Sequence, residues 1–131
     1  MLIVGIGSGY VAALVMELAK FVAGVERFRR LADRAAKTLV LAGTDPIQIK
    51  HDDGMRGWQE LAPFDRILLT GAVSSVPDAL LGQLAKGGFC VAPVIGDGQS
   101  ELISVNADGT CLQRRDIAFH APLQTGVSKA L

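Results

Sequence analysis

Near the start of the chain, Gly5-Ile6-Gly7-Ser8-Gly9-Tyr10 follows the short apolar run Leu2–Val4 and precedes a helical pattern beginning at Tyr10. Glu26 stands seventeen residues past Gly9, at the end of the next apolar run. A strand, a glycine turn, a helix and a second strand ending in a carboxylate make up the first βαβ unit of a nucleotide- or nucleoside-binding α/β domain. The glycines let the backbone bend sharply and approach a ligand closely, and a carboxylate at that strand end accepts hydrogen bonds from a ribose diol. A tight structural turn without a ligand is the competing reading, because a glycine cluster alone is weak evidence.

The rest of the chain repeats the strand–helix alternation. Phe28–Ala42 is an amphipathic helix whose Phe28, Leu31, Ala32, Ala35, Leu39 and Ala42 share one stripe, with Gly43 as its C-cap. Arg29, Arg30, Arg34 and Lys37 lie off that stripe without interleaved aromatics, which reads as a solvated face and not a nucleic-acid patch. Strands are expected at Val22–Val25, Ile47–Lys50, Asp65–Thr70, Phe89–Ile95, Glu101–Val105 and Thr110–Ile117, a mostly buried helix at Tyr10–Phe21, and a further helix at Pro77–Leu84. Gly87-Gly88 reads as a turn, and Asn106-Ala107-Asp108-Gly109 as hairpin chemistry. The expected fold is therefore α/β: one doubly wound, Rossmann-like domain over residues 1–131, mostly parallel, with an antiparallel C-terminal hairpin.

Composition agrees. Half of the 131 residues are hydrophobic and 20% are charged, as expected when parallel strands are buried on both faces. An uncovered apolar face open to self-association is a second contributor. The net charge of zero supplies no field to attract nucleic acid or an anionic membrane. Met1–Val25 is apolar, but its glycines together with Glu17 and Lys20 argue against a membrane span, and it lacks the basic start of a signal peptide. Cys90 and Cys111 read as reduced core thiols of a cytoplasmic protein.

Dinucleotide-binding turns carry G-x-G-x-x-G, whereas this chain has Tyr10 in the position of the third glycine and reads G-x-G-x-G instead. That spacing, with a carboxylate after the second strand, is the habit of S-adenosylmethionine methyltransferases. Further sites fall at successive strand ends, where open α/β sheets bind ligands. Asp53-Gly54 follows the third strand and offers a carboxylate to an adenine amino group, or else forms an Asx turn without a ligand. Thr70-Gly71 follows the fourth and is small enough for a cofactor's methionyl end, or is a plain loop. His51, His120 and Trp58 read as structural, and no cluster has metal-ligand spacing.

Several segments carry a more specific resemblance. They are the glycine turn, Val25-Glu26-Arg27, Asp53-Gly54-Met55-Arg56-Gly57-Trp58, Ala62-Pro63-Phe64-Asp65 and Ala79-Leu80-Leu81-Gly82-Gln83-Leu84 with Gly87-Gly88. Pro93-Val94-Ile95-Gly96, Phe119 and Pro122-Leu123 complete the set. Together they resemble the protein-L-isoaspartate O-methyltransferase family over nearly the whole chain.

The resemblance implies S-adenosyl-L-methionine as cofactor and methylation of the α-carboxylate of isoaspartyl residues in damaged peptides or proteins. The ester then closes to a succinimide and reopens, partly to aspartate, which is protein repair. It also implies cofactor contacts from Gly5, Gly7, Ser8 and Gly9 to the methionine portion, from Glu26 to the ribose and from Asp53 with Gly54 to the adenine. Arg27 would border the adenosine edge, and Gly71 would face the methionyl end.

Two departures from the family pattern stand out. Ile3 occupies the position, two before the first glycine, that is usually acidic in the family. The family's N-terminal segment, with a Gly-rich stretch that grips the peptide, has no counterpart here. The chain is therefore expected to be a truncated form that by itself transfers little or no methyl. The alternatives are a diverged cofactor-binding module that has lost methyl transfer, a small methyltransferase for another acceptor completed by a partner chain, or a non-catalytic interaction domain that self-associates through the uncovered face.

Overall fold

The computed structural model describes residues 1–97, 99–118, 122–123 and 126–127; Phe119 and His120 lie outside the described residues. Seven strands form one sheet in the order β3-β2-β1-β4-β5-β6-β7. They are β1 (Leu2–Val4), β2 (Ala23–Glu26), β3 (Gln48–His51), β4 (Phe64–Leu69), β5 (Leu84–Gly96), β6 (Gln99–Asn106) and β7 (Cys111–Ile117). The first five pair in parallel and the last two join as an antiparallel meander. The expected class and topology are present.

Successive side chains of a strand point to opposite faces, and here each face carries its own core. Leu2 and Val4 of β1 pack with Val25, Phe64, Ile67 and Leu69, and with Leu80 of helix α3 (Asp78–Leu81). Ile3 between them packs on the other face with Ile6 and with Ala12 of α1 (Tyr10–Met16). Ala35 and Leu39 of α2 (Arg29–Leu41) close that cluster. Burial on both faces is what turns Leu-Ile-Val into a central parallel strand.

Three elements depart from expectation. Helix α1 ends at Met16, not Phe21, and Ala12 is its buried residue. A three-residue strand spans about 10 Å, and a seven-residue helix covers that same distance on the way back. Tyr10, Leu14 and Leu18 are exposed (68%, 53% and 89%), so this helix is not mostly buried. Helix α3 stops at Leu81, because the Gln83 carbonyl accepts the Phe64 N–H and Leu84 already pairs with Phe64. Gly87-Gly88, expected as a turn, lies within β5, whose pairing with β4 shifts register between Phe64 and Arg66.

Met1–Val25 is divided among β1, the glycine turn, α1 and most of β2. Among the described residues no helix is long and apolar enough to cross a membrane. Cys90 is buried in the core as expected; Cys111 is exposed, because β7 forms the open edge of the sheet.

Candidate functional site

The chain winds from β1 outward to β3 and then returns to place β4 on the other side of β1. Loops leaving β1 and β4 therefore diverge, and the crevice between them is the place where open α/β sheets bind ligands. A cleft of ≈ 520 Å³ opens there, within the range of small-molecule sites. Its wall is built from Val4 at the end of β1 with Gly5 and Gly7 after it, Glu26 at the end of β2 with Arg27 and Phe28 after it, Gly54 and Met55 after β3, and Thr70 and Gly71 after β4.

Glu26 organises this wall. Its side chain is 5% exposed, and its Oε2 accepts the Gly7 N–H at 2.9 Å while Oε1 accepts the Phe28 N–H at 3.1 Å. Two backbone donors thus satisfy the buried carboxylate, and each oxygen keeps a further lone pair for a hydroxyl. The cation of Arg27 lies 4.9 Å from the centre of the Phe28 ring at the same rim.

Gly5 is required by geometry at the floor. Its φ is +82°, and a Cβ there would lie 2.7 Å from Thr70 Oγ1. The Thr70 hydroxyl donates to the Gly5 carbonyl, so the ends of β1 and β4 meet with no room for a side chain. Gly54 is equally confined, since its Cβ would lie 2.6 Å from Val4 Cγ1.

Six of the sequence-derived site residues thus line one cleft: Gly5, Gly7, Glu26, Arg27, Gly54 and Gly71. Three do not. Ser8 is exposed, and its Oγ accepts the Tyr10 N–H at 3.4 Å. Gly9 caps α1 with φ +88° and faces Leu39 and Ala35 of α2, which makes it a packing glycine. Asp53 turns its carboxylate toward backbone: Oδ1 accepts the Met55 N–H at 3.0 Å and Oδ2 the Gly126 N–H at 2.9 Å. His51 Nε2 contacts the Arg27 carbonyl at 3.0 Å and ties the end of β3 to that of β2.

Phe28 and Leu31 belong to the apolar stripe of α2, yet they line the cleft and not the core between helix and sheet. The first turn of α2 overhangs the end of β2, so the stripe meets the ligand crevice before it meets the sheet. Met55 and Leu123 add apolar surface that single-residue chemistry did not signal. Ile3 stays out of the cleft, fully buried between the sheet and the helices.

This sheet order, with the cleft at its switch point, is the fold of the class I S-adenosylmethionine-dependent methyltransferases. A solved protein-L-isoaspartate O-methyltransferase superposes with a TM-score of 0.81 at 24% identity, covering 94% of this chain and 41% of that one. A Plasmodium falciparum beta-aspartate methyltransferase (PCMT) structure, in complex with S-adenosyl-L-homocysteine, gives 0.76 at 24% identity, covering 94% and 64%.

The chain belongs to the protein-L-isoaspartate(D-aspartate) O-methyltransferase family, whose sequence profile matches residues 1–121. It is 43% identical to the protein-L-isoaspartate O-methyltransferase of Halorhodospira halophila over 115 residues, 88% of this chain and 52% of the relative. Against that of Chromohalobacter salexigens it is 41% identical over 127 residues, 95% and 56% of the two. The chain thus spans about half the length of these curated relatives.

Proposed function

We propose that this chain is the cofactor-binding core of an S-adenosyl-L-methionine-dependent carboxyl O-methyltransferase that acts on isoaspartyl residues of damaged proteins or peptides. The observation that carries the reading is the buried Glu26 carboxylate, held by Gly7 and Phe28 N–H groups at the switch-point cleft of a chain in this family. The cleft fits the cofactor: the close approaches of Gly5 to Thr70 and of Gly54 to Val4 bring bare backbone to its wall, and Glu26 retains lone pairs for a ribose diol.

When bound, S-adenosyl-L-methionine supplies an electrophilic methyl group on a sulfonium that leaves as a neutral thioether. Glu26 holds the ribose hydroxyls, and Arg27 borders the adenosine. Gly54, Met55, Phe28 and Leu31, which line the same cleft, would hold the base and keep water from it. Gly5 and Gly7 admit the methionine portion, with Thr70 and Gly71 beside the reacting end. Ser8 and Gly9 hold the turn, and Asp53 holds the Gly54–Met55 backbone, as its hydrogen bond to Met55 suggests. The acceptor carboxylate is ionised at neutral pH, so the site needs no general base. Alignment and exclusion of water are what the protein contributes.

Protein repair in the cytoplasm belongs to the same proposal, and the two free thiols suit a reducing compartment. The exposed Tyr10, Leu14 and Leu18 of the α1 region favour self-association through that face. Titration calorimetry with S-adenosyl-L-methionine and with NAD, joined to a methyl-label assay on an isoaspartyl peptide and its aspartyl twin, tests the function. Binding of the first ligand only, with any label confined to the isoaspartyl peptide, is expected. Binding of NAD, or label on the aspartyl twin, overturns it; no binding of either ligand leaves an interaction module.

A further inference from the structure

Gln83 is a buried polar side chain, 3% exposed, that lies outside the cleft. Its amide makes two hydrogen bonds to one short stretch of backbone. Oε1 accepts the Trp58 N–H and Nε2 donates to the Arg56 carbonyl, both at 2.8 Å. Gly57 sits between those residues with φ +68°, and a Cβ there would collide with the Gln83 amide itself. The Gln83 backbone is fixed in turn, its carbonyl accepting the Phe64 N–H at 2.8 Å at the start of β4.

The clamped stretch is the far end of the turn whose near end, Gly54 and Met55, forms the cleft wall. From within, the turn is tied by Asp53 Oδ1 to the Met55 N–H and by the Gly57 N–H to the Gly54 carbonyl at 3.0 Å. Those bonds shape the turn without attaching it to the sheet. The Asp52 N–H, donating to the Glu26 carbonyl at 3.1 Å, attaches the entry of the turn to the sheet, and the Gln83 amide attaches its far end.

We infer that Gln83 is a positioning residue: by clamping Arg56 and Trp58 to the β4–β5 edge it sets where Gly54 and Met55 stand, and so how tightly the cleft grips the base of a nucleoside ligand. This rests on the nucleoside-binding reading given above. Charged side chains on the surrounding elements are Arg56 on the turn, Glu60 just beyond Trp58, Asp65 and Arg66 on β4, Asp78 on α3 and Lys86 on β5, all exposed. Lys50 lies 5.7 Å from the centre of the Trp58 ring. None of the hydrogen bonds to the Gln83 amide involves a charged group.

Gln83→Glu tests the clamp, because a carboxylate keeps the acceptor for Trp58 but sets a negative oxygen against the Arg56 carbonyl. At about pH 8 its affinity for S-adenosyl-L-homocysteine should fall about tenfold or more below wild type. At about pH 5 the buried glutamate takes up a proton, donates to Arg56 again, and most of the affinity returns. Gln83→Met, similar in length and lacking both hydrogen bonds, should bind weakly at both pH values. It supplies the comparison if Gln83→Glu does not fold at the higher pH, with far-UV circular dichroism reporting folding. A loss of global stability alone would not follow this pH pattern in affinity. If wild type binds and a folded variant binds within about twofold of it at both pH values, the inference is overturned. If wild type itself does not bind, it is the nucleoside reading that falls, and this inference falls with it.

Discussion

The Glu26 carboxylate accepts the Gly7 backbone N–H at 2.9 Å and thereby joins the end of β2 to the loop that follows β1. One side chain both shapes the glycine turn and presents its remaining lone pairs to the cleft. Removing it in Glu26→Ala leaves the Gly7 and Phe28 N–H groups without their acceptor. Binding of S-adenosyl-L-homocysteine should weaken by about 1–3 kcal/mol. Calorimetry on the folded variant measures this directly, and an unchanged dissociation constant would remove Glu26 from the site.

Gly5 and Gly7 both adopt positive φ, +82° and +58°, but their surroundings differ. A Cβ on Gly5 meets Thr70 Oγ1 at 2.7 Å, whereas on Gly7 its nearest neighbour is the Gly5 carbonyl oxygen at 4.0 Å. Gly5→Ala should therefore cost about 2–4 kcal/mol through strain and collision together. Gly7→Ala should cost about 1 kcal/mol, from backbone conformation alone. Urea unfolding of the two variants checks the order; equal costs would contradict the close approach of β1 and β4.

The two cysteines should separate cleanly in a thiol titration. Cys111 is exposed and should react in the native protein, while Cys90 is buried and should react on unfolding. Burial pushes the Cys90 thiol up to about 12 from its ordinary 9.0. The unfolded chain releases this proton at lower pH than the folded one, so the contribution to stability is whole below pH 9 and is lost as pH rises toward 12. Urea midpoints across that window should fall faster for wild type than for Cys90→Ala. Native-state labelling of both thiols would contradict the placement of Cys90.

Leu18 is 89% exposed beside the C-terminal end of α1. Leu18→Glu should change folding stability by no more than about 0.5 kcal/mol. The same change should abolish concentration-dependent association in sedimentation velocity if the α1 face joins two copies. Association that persists in Leu18→Glu would move the contact elsewhere.

Much of the site was legible because its chemistry is local. Glycines that bend a loop, and a carboxylate placed at a strand end by a short continuous apolar run, leave their mark within a few residues. Gly5, Gly7, Glu26, Gly54 and Gly71 could be named on that basis, Arg27 only through the family resemblance, and the cleft brings them together. Asp53 carried an ambiguous signal, base contact or Asx turn; its hydrogen bond from the Met55 N–H is of the second kind, and its bond from the distant Gly126 N–H is a tertiary contact that local sequence does not signal. Phe28 and Leu31 were hidden because an amphipathic stripe records that a face is covered, not whether sheet or ligand covers it.

Helix ends were less legible for a related reason. Tyr10–Phe21 keeps helical spacing throughout, yet α1 ends at Met16 because the crossover must match the length of a three-residue strand. Likewise Gly87-Gly88 has turn composition, but pairing with β4 carries β5 through it.

By itself the sequence determined the alternation of strands and helices, the glycine turn and the carboxylate that answers it, since apolar periodicity and backbone freedom are properties of neighbouring residues. Only the tertiary structure decided that Thr70 closes over Gly5 and that Gln83 clamps Trp58 twenty-five residues away. It also decided which face of α2 looks into the cleft. Those contacts depend on the order in which strands are laid side by side, and that order is set by the packing of the whole sheet.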